Sequence, residues 1–129
     1  MKRAPAIAGL LLGLLFVVFG LNYFLKFLPM PSGPRAGSPA AMFMGVLIAT
    51  KYFVFIKVCE IFGGLLVMLP KIRNVGLLIL GPVIVNILCF HIFINKGATL
   101  VDPVVLALPV LFTFLLWTER KAFARLVTR

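Results

Sequence analysis

Four long apolar runs, approximately residues 4–28, 52–69, 74–94 and 100–118, dominate this 129-residue chain. Each is close to the roughly 20 residues that an α-helix needs to cross a bilayer. In hydrocarbon every backbone N–H and C=O must find a partner within the protein, so spanning segments are helices or closed barrels. These runs are continuously apolar and lack the alternation of barrel strands, which leaves helix. The expected fold is all-α: one domain over residues 1–129, a transmembrane four-helix bundle with a short interfacial helix after the first span.

Composition agrees, with 63% hydrophobic and 12% charged residues, outside the balance of a soluble domain. The formal charge of +10 raises nucleic acid as a partner. The basic residues are spread around helix ends, however, without the basic-and-aromatic footprint of a nucleic-acid binder, and that class is set aside. Lys and Arg flanking spans set orientation and touch anionic lipid. Lys2, Arg3, Lys71, Arg73 and the basic tail fall on one side; Arg35 and Lys96 fall on the other, with Lys26 and Lys51 near its boundary. This asymmetry predicts both termini inside, Trp117 at the inner interface and Tyr23 and Tyr52 toward the outer one. The first run is long for a signal-peptide core and is followed by Pro29, Pro31 and Pro34 before any small-residue stretch. It reads as a retained helix.

Punctuation refines the boundaries. Ser38 and Pro39 suit an N-cap and first position of a short helix that breaks near Thr50 and Lys51. Pro70 ends the second span; Asn95, Lys96 and Gly97 end the third; Asp102 ahead of Pro103 reads as a cap for the fourth, and Glu119 as a helix-end residue. Gly9 and Gly13 form a GxxxG pair, joined by Gly20, Gly63 and Gly64 as sites of close helix packing. Pro82 is expected to bend the third span and free the Leu78 carbonyl.

The few polar groups inside the runs are the functional candidates, because an ionisable side chain in hydrocarbon is costly. Lys57 and Glu60 lie roughly 6–11 Å below the outer end of the second span, at 1.5 Å per residue. Counting back along the third span places His91 roughly 6 Å, Cys89 roughly 9 Å and Asn86 roughly 13 Å deep. Asn22 and Lys26, one turn apart on the first, fall in the same layer. The six candidates for a ligand or proton site are therefore Lys57, Glu60, Asn86, His91, Asn22 and Lys26, with Lys57, Glu60, Asn86 and His91 expected to share a pocket. His91 stands about 140° around the helix from Asn86, so one of the two is expected at a helix seam instead. A competing structural reading makes Lys57 and Glu60 a self-neutralising pair and the amides interhelical hydrogen bonds.

Cys59 and Cys89 come out at similar depth on antiparallel neighbours, which makes a thiol pair geometrically feasible; two inert thiols are the plainer reading. There is no CxxC and no metal-ligand spacing. Nor is there a haem, flavin or iron–sulfur motif, so no cofactor is evident and any redox role would need a quinone or a partner protein.

The chain resembles the DoxX family of small four-helix membrane proteins. The resemblance covers about residues 9–94. It rests on Gly20-Leu21-Asn22 followed by Phe27-Leu28-Pro29-Met30-Pro31, on Lys57-Val58-Cys59-Glu60-Ile61-Phe62-Gly63-Gly64, and on Pro82-Val83-Ile84-Val85-Asn86 leading to Phe90-His91. The chain departs from the family pattern at Tyr23, where relatives often carry Lys, and at Lys26, where they commonly carry His. The resemblance implies a bacterial cytoplasmic membrane protein of poorly defined activity, near quinone or thiol redox chemistry and envelope stress. Redox partner proteins are implied with it. Whether the chain is an enzyme stays open. Three functions remain: a redox subunit with a quinone or other lipophilic ligand near the outer polar layer; a non-enzymatic scaffold or assembly factor; and a small-molecule or proton pathway, for which a homo-oligomer would supply more helices.

Overall fold

The computed structural model describes residues 3–29, 33–95 and 102–128. Lys2, Met30, Pro31, Lys96, Gly97 and the start of the fourth apolar run at Leu100 lie outside them, so the expectations placed there are not taken further. Among the described residues every regular element is a helix. In order come α1 (Arg3–Leu25), α2 (Pro39–Ala49), α3 (Tyr52–Met68), α4 (Arg73–Cys89) continued by a π-helical turn (Phe90–Ile94), α5 (Pro103–Thr118) and α6 (Arg120–Val127).

Two helices are long and apolar enough to cross a membrane alone: α1, and α4 with its π turn. The other two candidate spans are bent pairs, α2 with α3 at 84° and α5 with α6 at 78°. At 17 and 16 residues, α3 and α5 are about 24–26 Å long. That is a little short of the roughly 30 Å hydrocarbon core.

The helix ends follow the local chemistry. The Ser38 Oγ accepts from the Ala41 N–H at 3.1 Å, with Pro39 at the first helical position. The Asp102 carboxylate does the same for the Val104 N–H at 2.9 Å, ahead of Pro103. Between α2 and α3 the turn is made by Lys51 in the left-handed region, φ 62°. Pro82 is accommodated inside α4.

α1 packs most extensively on α3, and α3 on α4; α5 closes the bundle against α1 and α4. One core joins them, with Leu12, Val67, Leu77, Leu80 and Leu115 fully buried. Glycines set the register. A Cβ on Gly13 would collide with the Gly64 carbonyl and Met68, one on Gly20 would stand 2.6 Å from Ile61, and one on Gly76 2.6 Å from the Val67 backbone. α1 and α3 thus run antiparallel with their backbones nearly touching, and α3 and α4 do likewise.

Gly13→Ala should therefore lower the thermal stability of the purified protein by about 1–3 kcal/mol, the usual range for overpacking. Gly45, in α2, has open space around it. Gly45→Ala should be neutral or stabilising by up to about 1 kcal/mol through helix propensity. Thermal unfolding in detergent checks both.

Candidate functional site

The glycine contacts between α1 and α3 end at Gly20. Around that point a cleft of about 450 Å³ lies between the two helices. It is lined by Phe19, Asn22, Tyr23, Lys26 and Leu28 from α1 and the turn after it, and by Phe53 and Lys57 from α3. Three of these seven residues are aromatic. Tyr23 meets Phe53 edge-on at 5.0 Å between ring centroids. The Lys57 Nζ lies 5.0 Å from the Phe53 ring centre, a cation–π distance.

Lys57 is held from behind. Its Nζ donates to the Glu60 Oε1 at 3.3 Å, with the two side chains 16% and 7% exposed. One turn of helix thus contains a nearly dry ion pair of which Lys57 lines the cleft and Glu60 does not. An ammonium carries three N–H groups. One satisfies Glu60, leaving Lys57 with donor capacity toward a second acceptor.

Asn22 is buried, 5% exposed. Its Oδ1 accepts from the Leu28 N–H at 2.7 Å, tying down the chain as it leaves α1. Lys26, exposed and left-handed at φ 53°, makes the reversal that this bond requires. Asn22 and Lys26 therefore shape the mouth of the cleft.

Asn86 and His91 do not join them. Asn86 is exposed on α4, and its Nδ2 donates back to the Pro82 carbonyl of the same helix at 2.8 Å. His91 lies half-buried on the π turn, edge-on to Phe90 at 5.3 Å, with Asp102 as an electrostatic neighbour. The expected shared pocket for Lys57, Glu60, Asn86 and His91 thus reduces to the Lys57–Glu60 pair. Neither Asn86 nor His91 lines the cleft. The cysteines also separate. Both thiols are free, Cys59 half-buried and Cys89 exposed. Gly63 meets Ile79 and Leu80 while Gly76 meets Val67. Extending that register sets Cys59 level with about Ile84, roughly 7 Å along the axis from Cys89.

Sequence reasoning missed Arg73, which it placed among the flanking cations. Arg73 is 6% exposed and its Nε donates to the Val67 carbonyl at 3.0 Å, capping the end of α3. A Cβ on Gly9 would stand 2.9 Å from this guanidinium, so the first glycine of the GxxxG pair makes room for it. The Arg73 Nη2 and Asn74 Oδ1 are buried without a hydrogen-bond partner among the described residues. Nothing in the local sequence separates Arg73 from Lys71; the signal is Gly9, legible only once the helices are paired. Among the described residues no group of His, Cys, Asp and Glu could hold a metal ion.

Two outcomes test this geometry. Lys57→Met or Glu60→Leu alone should destabilise the bundle by about 3 kcal/mol, because each strands a charge. The double variant should lose much less than the sum, giving a measurable coupling energy in a double-mutant cycle. Asn22→Ala should cost about 1–3 kcal/mol by orphaning the Leu28 N–H, whereas Asn86→Ala should change thermal stability little. No protein-family model, no curated protein and no solved structure matches this chain.

Proposed function

We propose that this chain is a DoxX-like subunit of the bacterial cytoplasmic membrane, with both termini inside, that holds a lipophilic carbonyl-bearing ligand of the quinone class in the α1–α3 cleft. The observation that carries this reading is Lys57, pinned by Glu60, stacked on Phe53 and lining a cleft in which three of seven residues are aromatic. A quinone head is planar, with acceptor oxygens at opposite ends. Phe53 and Tyr23 offer apolar ring surface, Lys57 a charged donor and Lys26 a second cation at the mouth. Glu60 acts through Lys57, neutralising it and fixing its direction, and Asn22 holds the turn that closes one end. The protein would then serve redox or envelope-stress chemistry by presenting the ligand to a partner protein. The motif resemblance around Asn22 and Lys57–Gly64 supports the same assignment.

A scaffold role is the second reading, favoured by one observation. Asn22 spends its carboxamide oxygen on the protein's own backbone, as Asn86 spends its NH₂ group.

Titration of purified protein with a short-chain ubiquinone separates the two. The redox reading expects saturable binding, weakened about tenfold or more by Lys57→Met, the scale of a lost hydrogen bond from a charged donor. Phe53→Leu, which keeps the ion pair, should also weaken binding, while Asn86→Ala should leave it unchanged. Absence of binding to the wild-type protein, or affinity indifferent to both cleft variants, would leave the scaffold.

A further inference from the structure

The C-terminal helix has no part in the cleft, and its side chains are sorted with unusual clarity. At 100° per residue, Arg120, Lys121 and Arg125 fall within about 140° of arc; Ala122, Leu126 and Phe123 occupy the other side, and Val127 borders it about 20° from Arg120. α6 leaves α5 at 78°, so with α5 across the membrane it lies close to the membrane plane. Phe123 anchors it by packing against the bundle core. Farther along, Leu126 on that side and Val127 at its border are 67% and 86% exposed.

The corner itself is held by Arg120 and Trp117. The Arg120 Nη1 donates to the Trp117 carbonyl at 2.8 Å, and its guanidinium stacks 4.3 Å from the centre of the Trp117 ring. Trp117 is 63% exposed, as expected of an indole at the headgroup boundary. The bend encloses a shallow cleft of about 470 Å³ bordered by Thr118, Glu119, Lys121 and Arg125. Acids elsewhere do little to balance this surface: the chain has three Asp and Glu residues, and of these only Glu119 stands here.

We propose that α6 is a docking helix for an anionic phospholipid leaflet, with Leu126 and Val127 in the acyl boundary and Arg120, Lys121 and Arg125 on the headgroup phosphates. Charge complementarity selects this occupant. Three cations stand on one arc beside a single acid, the apolar arc continues past the bundle edge, and the Trp117–Arg120 stack holds the corner. Each cation near an anionic surface strengthens association about fivefold. The site is independent of the α1–α3 cleft and of any ligand there.

The test uses the full chain with Cys59 and Cys89 changed to Ser and a fluorescent label on Leu126→Cys. It is reconstituted in phosphatidylcholine vesicles with or without phosphatidylglycerol, using brominated lipid and aqueous iodide as quenchers. With phosphatidylglycerol at low salt, the label should be quenched by brominated lipid and protected from iodide. Neutralising Arg120, Lys121 and Arg125 to Gln should weaken docking about fivefold per residue, and high salt should weaken it too. Equal lipid quenching in both membranes and in the neutralised protein would overturn charge recognition. So would iodide access in every membrane. Protection from both quenchers whatever the lipid would assign the face to protein instead.

Discussion

The close approach of α1 and α3 is the constraint on which the other features depend. Lipid chains are as apolar as leucine, so helices in a bilayer gain little by burying apolar surface against one another and associate through packing and polar contacts. Here Gly9, Gly13, Gly20 and Gly64 remove the side chains that would hold the backbones apart. Gly63 and Gly76 repeat the device between α3 and α4. Around the point where the glycines stop lies the cleft, with Phe19, Asn22 and Tyr23 in its lining. The candidate site is thus the open end of a zipper whose closed part fixes the height and rotation of α3, and with it the direction of Lys57.

The bundle treats its buried polar groups in distinct ways. Arg73 is placed against the last carbonyls of α3, where the helix dipole favours a cation. Asn22 is consumed by the Leu28 N–H. Lys57 is matched with a carboxylate three residues away and still lines a cleft. A charge that only needed neutralising could have been turned inward with its partner. One that is neutralised from behind and exposed in front can bind.

Much of this was legible in the residues. Four apolar runs implied the helices, Ser38–Pro39 and Asp102–Pro103 implied two caps, and the outer-layer depth of Lys57, Glu60, Asn22 and Lys26 brought together the groups that shape the cleft. Depth follows from counting at a fixed rise per residue. Facing does not, since it depends on how each helix is rotated in the bundle, and so Asn86 and His91 do not line the cleft; nor does counting along each helix give the axial offset between neighbours, which parts Cys59 from Cys89. Arg73 and α6 were hidden for a different reason. A flanking cation and a buried one look alike until the opposing glycine is known, and a basic tail announces charge without its 78° bend.

The central claim is that the α1–α3 cleft holds a lipophilic molecule whose polar head meets Lys57. A high-resolution cryo-EM map of the protein extracted with its native lipids into nanodiscs tests it most directly. The account predicts elongated density in the cleft, its head within hydrogen-bonding distance of the Lys57 Nζ and its ring plane against Phe53. A map with Lys57 turned out of the cleft, or with Phe53 and Tyr23 collapsed to close it, would contradict the claim.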